Sequence, residues 1–373
     1  MKILQTPARF FPYIGGTEQV VLCLSKELAK RHHQVKIICA NEPEAGDGYI
    51  EGIEVKRLPY LTKIANTNIT VSLKSQLLKE DFDVLHTHLP HPWSADISAI
   101  VAKNKKKPLF LTYHNDITGR GVNKLVAAFY NLTALKILLK QSRKIFLTSE
   151  NYINYSVFLR PFADKIVVAP LGVDLDKFKP LDVDTKKDTS LSAFFLSRLD
   201  KFHRYKGLEY LILAIKQVIQ KIPFKLYVGG EGELLPYYRD FVKENGLDNS
   251  VIFLGKLRDE DVLKNYNACD VFVLPSTTSV QEGFGLVALE AMACKKAVIV
   301  SAITGVAGDV KKHNAGVVVA PCSINELSEA MYSVLSDQKR RMEMADNAYK
   351  LVNNKYTWDK HASIVEQEYL RSV

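Results

Sequence analysis

The chain has 373 residues, 47% of them apolar and 24% charged, with a formal net charge of +9. That length exceeds one ordinary core and implies two domains. No apolar run approaches the ~20 residues of a spanning helix, the opening residues read as a strand rather than a signal segment, and no low-complexity tract appears, so membrane-spanning, fibrous and disordered classes are excluded.

The excess charge lies in one half. Residues 1–170 hold 23 Lys and Arg against 14 Asp and Glu, and the remainder holds 27 of each. A basic half attracts phosphates, whether on nucleic acid, anionic lipid or a diphosphate substrate. The five cysteines, Cys23, Cys39, Cys269, Cys294 and Cys322, have no metal-type spacing. Four of them sit in apolar segments, so buried free thiols in a reducing compartment are expected.

Residues 2–6 predict a strand. The loop at 7–16 ends Gly15-Gly16-Thr17-Glu18, and a helix follows with Val20, Val21, Leu24 and Leu28 on one face. A strand at 34–40 completes a βαβ unit. The three-glycine dinucleotide spacing is missing, so the glycine pair makes either a tight turn or a close backbone approach to a phosphate or sugar. Further strands at 83–86, 109–112, 144–147 and 165–168, mostly separated by helical stretches, predict a largely parallel sheet covered on both faces. Ligands of such sheets bind beyond the carboxyl ends of the strands. That rule singles out His86, His88, His114, Asn115, Asp116, Ser149 and Glu150. A metal at His86, His88 and His91 is not expected, because no carboxylate or cysteine completes a cluster.

Residues 117–149 contain no Asp or Glu but carry Arg120, Lys124, Lys136, Lys140, Arg143 and Lys144 among apolar residues. The pattern predicts a helix over 122–140, packed on the sheet through Leu125, Phe129 and Leu132 with lysines at its rim. The alternative is a basic helix lying in a membrane interface.

A polar stretch from Pro170 through Ser190 marks the domain junction. The boundaries are read as 1–174, 175–356 and a C-terminal helix at 357–373 that packs back on the first domain. Strands at 192–196, 224–228, 251–254, 271–274, 297–300 and 316–319 form the second alternating series. Two of their ends suit phosphate chemistry. Arg198 follows the first strand and Lys206 opens the helix behind it, so two cations could clamp a diphosphate. Gly230, after the second strand, permits close approach of backbone to a ligand. The run after strand 271–274 reads Glu282-Gly283-Phe284-Gly285-Leu286, with Glu290 inside the helix that follows. A strand, a glycine turn and a helix start present N–H groups and a helix dipole to an anion. A carboxylate at the mouth could hold sugar hydroxyls.

Taken in order, these motifs resemble the glycosyltransferase family 4 group of the GT-B fold: Gly15-Gly16-Thr17-Glu18, His114, the hinge Leu171-Gly172-Val173-Asp174, Arg198 with Lys206, and Glu282 with Glu290. Arg198 and Lys206 stand further apart than is usual in the family, with Lys201 and Arg204 between them. Lys295 stands where glycine is usual. The resemblance implies an α/β fold of two Rossmann-like domains facing an interdomain cleft, an acceptor-binding first domain and a nucleotide-sugar-binding second. It implies metal-independent, retaining transfer from a UDP- or GDP-linked donor, with no cofactor. It further implies that Glu290 holds the ribose and Glu282 the donor sugar hydroxyls, that Arg198 and Lys206 neutralise the diphosphate, and that Gly15 and Gly16 approach it by backbone. Gly230, Gly283, Phe284, Gly285 and Leu286 complete the donor-binding set, and His114 contacts the sugar near the reacting centre. A glycan or lipid-linked acceptor is expected, with peripheral contact to an anionic membrane at the inner face of a cell membrane and an otherwise cytoplasmic location. Nucleic acid is not expected as a partner. A nucleotide-sugar 2-epimerase is the alternative, though no acid/base carboxylate pair for it is evident, and a non-catalytic basic binding protein is a third class.

Overall fold

The computed structural model describes every residue except 14, 65–66, 118–121, 151, 154–155, 182–189, 279–281 and 283, and of residues 122 and 123 only the backbone. Contacts divide the chain into two units, Met1–Leu171 with Trp358–Val373, and Gly172–Thr357.

The first unit runs β1 (Lys2–Thr6), α1 (Gly16–Lys30), β2 (Gln34–Ala40), β3 (Gly48–Ile50), β4 (Ile53–Leu58), β5 (Thr62–Ile64), β6 (Thr67–Ile69), α2 (Leu73–Lys79), β7 (Val84–Leu89), α3 (Pro92–Lys105), β8 (Leu109–Tyr113), α4 (Val122–Leu132), α5 (Ala134–Gln141), β9 (Lys144–Leu147) and β10 (Ile166–Val168). The second runs β11 (Leu191–Leu196), α6 (Leu208–Val218), β12 (Phe224–Gly229), α7 (Leu235–Glu244), β13 (Val251–Gly255), α8 (Asp259–Ala268), β14 (Val271–Leu274), α9 (Leu286–Ala293), β15 (Ala297–Ser301), α10 (Ala307–Lys312), β16 (Gly316–Val319), α11 (Ile324–Ser336) and α12 (Gln338–Lys355). The last helix, α13 (Trp358–Leu370), returns to the first unit.

Strands apolar at successive positions bury both faces, which is the signature of a parallel sheet. In the first unit, Leu4, Leu85, Leu109 and Leu111 enter one core with α2, α3 and α5 residues. Ile3, Val84 and Phe110 enter the other, with α1 and with Ala362, Val365 and Tyr369 of α13. The strand order is β10-β9-β8-β7-β1-β2-β4-β3, parallel throughout except for the β3–β4 edge. On the α1 side, Arg31 pairs with Asp359 and Glu366 of α13 at 2.6 and 2.8 Å. The second unit has an all-parallel sheet in the order β13-β12-β11-β14-β15-β16.

Two expectations change. The helix read over 122–140 is two helices broken at Thr133, whose backbone leaves helical geometry (φ −120°, ψ −88°). Its hydroxyl donates to the Phe129 carbonyl, a local bond that competes with helix continuation. Leu125, Phe129 and Leu132 do not pack on the sheet: they are 74%, 72% and 61% exposed. The buried contacts come instead from Leu135, Leu138 and Leu139 on α5. No helix among the described residues is long and apolar enough to cross a membrane.

Candidate active site

In the second unit, β12, β11 and β14 are neighbours, so the loops leaving their carboxyl ends meet. Two glycines show how closely. Gly207 has φ +79°, and a Cβ there would collide with the Pro275 carbonyl after β14. Gly230 has φ +125°, and its Cβ would strike the Ser197 carbonyl after β11. Only glycine meets both demands at once. A hydrogen bond from the Thr277 N–H to the Tyr205 carbonyl at 2.8 Å ties the first pair of loops together.

This junction places Lys206 against Glu282. Lys206 Nζ donates to Glu282 Oε2 at 2.7 Å, with the side chains 14% and 4% exposed. Ser276 Oγ donates to the same oxygen at 2.6 Å. Burial works against the Lys206 charge, but the Glu282 carboxylate and the Tyr205 phenol outweigh it, and the net effect raises the ammonium's pKa. Lys206 and Glu282, predicted separately from the sequence, are therefore one hydrogen-bonded unit.

Glu290 lies within α9, whose N-cap is Gly285. Its Oε2 accepts from Tyr266 Oη at 2.7 Å. Burial raises its carboxyl to about 7, against the downward pull of the Tyr266 bond, Lys177 and Lys206. Phe284 is buried with its ring edge-on to Tyr356 at 5.7 Å, so it serves packing. Leu286 opens α9 and is half-buried. Gly283 lies outside the described residues. Arg198 stands apart from the pair: it is 66% exposed, with Nε 3.2 Å from Asp200. No described hydrogen bond joins it to Lys206 or Glu282. The loop between them is set by Asp200, which also accepts from the backbone N–H groups of Phe202 and His203.

In the first unit, Gly15 caps α1 and Gly16 begins it. The Glu18 carboxyl folds back over this start, close to the Gly15 Cα. It is buried, and burial raises its pKa against the opposing effect of its own backbone N–H and Arg9. His114 follows β8 and stacks on His88 (5.7 Å between centroids, 18°), which stacks on His86 (4.5 Å, 25°). Burial first, then neighbouring imidazoles, hold His86 and His114 neutral, each pushed down to about 3. His86 bonds Thr112 and Tyr369, and His88 bonds Gln5. Among the described residues no group of three His, Cys, Asp or Glu has metal-binding geometry.

Sequence reasoning missed Ser276 and Tyr266. Ser276 stands two residues past β14, where strand-end inspection could have found it. Tyr266 left no signal, because a buried aromatic on α8 reads as core.

Two family models match nearly end to end. Glycosyltransferase Family 4 covers residues 14–177, and Glycosyl transferases group 1 covers residues 181–351. The O-antigen chain mannosyltransferase C of Escherichia coli is 27% identical over 366 residues, 96% of this chain and 95% of that one. An uncharacterised glycosyltransferase of Methanocaldococcus jannaschii is 35% identical over 176 residues, 47% of this chain, which there spans 44% of its relative's length. The structure of Anabaena HepE in complex with UDP-glucose superposes with a TM-score of 0.78 over 100% of both chains at 20% identity, a likeness of fold. With the two models accounting for both units, the chain belongs to glycosyltransferase family 4, with the two Rossmann-like α/β domains of the GT-B fold.

Proposed function

We propose that this glycosyltransferase moves a hexose or N-acetylhexosamine from a UDP- or GDP-activated donor to a glycan or lipid-linked acceptor, with retention at the anomeric carbon and without a metal. The observation that carries this reading is the buried Lys206–Glu282 pair beside Glu290, at the carboxyl ends of neighbouring strands. Leaving-group charge develops on the diphosphate, so a fixed cation and a helix start beside it stabilise the transition state. Loss of one such preorganised group is worth about 3–4 kcal/mol. In this reading Lys206 meets the diphosphate and Arg198 reaches it from the exposed loop. Glu282 accepts donor-sugar hydroxyls and Glu290 the ribose, while Gly15, Gly16 and Gly230 allow backbone approach. His114, kept neutral by burial, offers a hydrogen bond to the sugar. The departing phosphate takes the acceptor proton in a front-face mechanism.

The UDP-glucose bound to Anabaena HepE supports a nucleotide-sugar donor, and the name of the E. coli mannosyltransferase supports surface polysaccharide synthesis. The matched relatives are transferases, which favours this reading over the 2-epimerase alternative. Exposed Leu125, Val126, Phe129 and Leu132 on α4 and Ile137 on α5 lie among exposed Lys124, Lys136 and Lys140, in a stretch without acidic residues. That composition fits an anionic membrane surface carrying the acceptor.

Thermal-shift measurements with UDP, GDP and their sugars test the donor. A UDP- or GDP-sugar is expected to raise the melting temperature. Arg198→Ala is expected to keep the fold and lose transfer, and full transfer by that variant would refute its role.

A further inference from the structure

We infer that Tyr266 is a positioning residue for donor recognition, fixing the Glu290 carboxylate so that its other oxygen is presented to the nucleotide ribose. The inference rests on the donor reading above and extends it to a residue outside the motif.

The geometry is specific. Tyr266 is fully buried on α8, and its ring is held edge-on by Phe178, Phe194 and Phe272 at 5.9, 5.3 and 5.4 Å. Full burial and edge-to-face contacts with three rings hold it in place. Its only polar atom, Oη, donates to Glu290 Oε2 at 2.7 Å. The terminal torsion of a glutamate is broad and two-fold, so a free carboxylate samples many orientations. One short bond from an immobile phenol removes that freedom. No described residue donates to Glu290 Oε1, which leaves an acceptor for a ligand hydroxyl. Lys177, Lys206 and Asp259 act on Glu290 only through their fields, so the phenol is the directional constraint among the described residues.

Tyr266→Phe keeps the ring and its three neighbours while deleting the hydroxyl. The probe is whichever of UDP and GDP the wild type binds, with its 2′-deoxy and 3′-deoxy forms, followed by calorimetry. Circular dichroism and the ligand-free melting temperature establish that the variant folds, and Tyr266→Leu is the second variant if it does not. Tyr266→Phe is expected to weaken binding of the ribonucleotide about tenfold, the loss typical of a hydrogen bond to a charged group. It is expected to weaken the deoxy form that the wild type discriminates against by much less. In a Glu290→Gln background the same change is expected to have little further effect. Wild-type affinity in Tyr266→Phe, or equal weakening of the ribo and deoxy forms, would overturn the positioning role and leave the donor reading intact. Failure of the wild type to bind either nucleotide would overturn the donor reading itself, and this role with it.

Discussion

Glu282→Ala tests the centre of the site most directly. In the native protein Glu282 is 4% exposed, Lys206 is 14% exposed, and 2.7 Å separates their charged atoms. Removing the carboxylate strands a desolvated ammonium, and breaking a buried pair from one side typically costs ~3–5 kcal/mol. The residual exposure of Lys206 puts the expected loss at the lower end, about 3 kcal/mol. For a unit the size of Gly172–Thr357, that lowers the melting temperature by roughly 6–12 °C. Lys206→Met should be milder, about 2 kcal/mol, because Glu282 keeps its bond from Ser276. Replacing both by apolar residues removes two desolvation penalties together, so Lys206→Met/Glu282→Ala should be more stable than Glu282→Ala alone. Urea denaturation of all three variants without ligand provides the comparison. Strictly additive losses would show that the two charges do not act as a unit and would refute the reasoning.

Gly207→Ala should lose about 3 kcal/mol, from left-handed geometry and a clash with the Pro275 carbonyl; unchanged urea stability would contradict the close approach. Burial raises the Glu290 carboxyl from 4.5 to about 7, so its neutral form contributes stability that is complete below pH 4.5 and lost as pH rises through 7. Glu290→Gln, which mimics that neutral form, should match the wild type below pH 4.5 and exceed it above pH 8 by on the order of 3 kcal/mol, as read by thermal unfolding across pH; a pH-independent difference would argue against the raised value. Leu125→Glu/Phe129→Glu should reduce flotation with phosphatidylglycerol vesicles at least tenfold without changing the melting temperature, since both side chains are exposed; undiminished flotation would remove α4 from the membrane reading.

The parallel strands were legible because both faces of each are buried. Runs such as Val271-Phe272-Val273-Leu274 and Ala297-Val298-Ile299-Val300 bury every residue and have no polar alternation to misread. β3, β5 and β6 were missed because each is only three residues long and carries no periodic signal, and β4 was missed as well because its Lys56-Arg57 pair breaks the alternation. Leu125, Phe129 and Leu132 misled because periodicity shows that a helix has an apolar stripe, not which surface receives it. In the site, Lys206 and Glu282 were legible singly from strand-end and glycine-turn rules. Their pairing was not, since 76 residues of chain separate them and only the β11–β14 adjacency brings them together. Tyr266 was hidden because a phenol ring buried among Phe178, Phe194 and Phe272 has the pattern of core, and its one polar atom determines its role.

The two glutamates of the motif are held alike and partnered differently. Each has Oε2 tied by a buried hydroxyl, Ser276 for Glu282 and Tyr266 for Glu290. Glu282 also faces an ammonium at 2.7 Å, whereas the phenol is the one described hydrogen-bond donor to Glu290. In the donor reading this difference orders the events. A diphosphate competes for Lys206 with the Glu282 carboxylate, and two negative groups sharing one cation weaken each other's hold on it. Arrival of the phosphates therefore loosens Glu282 and frees it for sugar hydroxyls, while Glu290, tied only to a neutral donor, is ready for the ribose beforehand. The nucleotide half of the donor is then recognised by a preset carboxylate and the sugar half by one released on binding. That sequence requires free UDP or GDP to bind Glu282→Gln at least as tightly as the wild type. Weaker binding by that variant would show instead that Glu282 holds Lys206 in place for the phosphate.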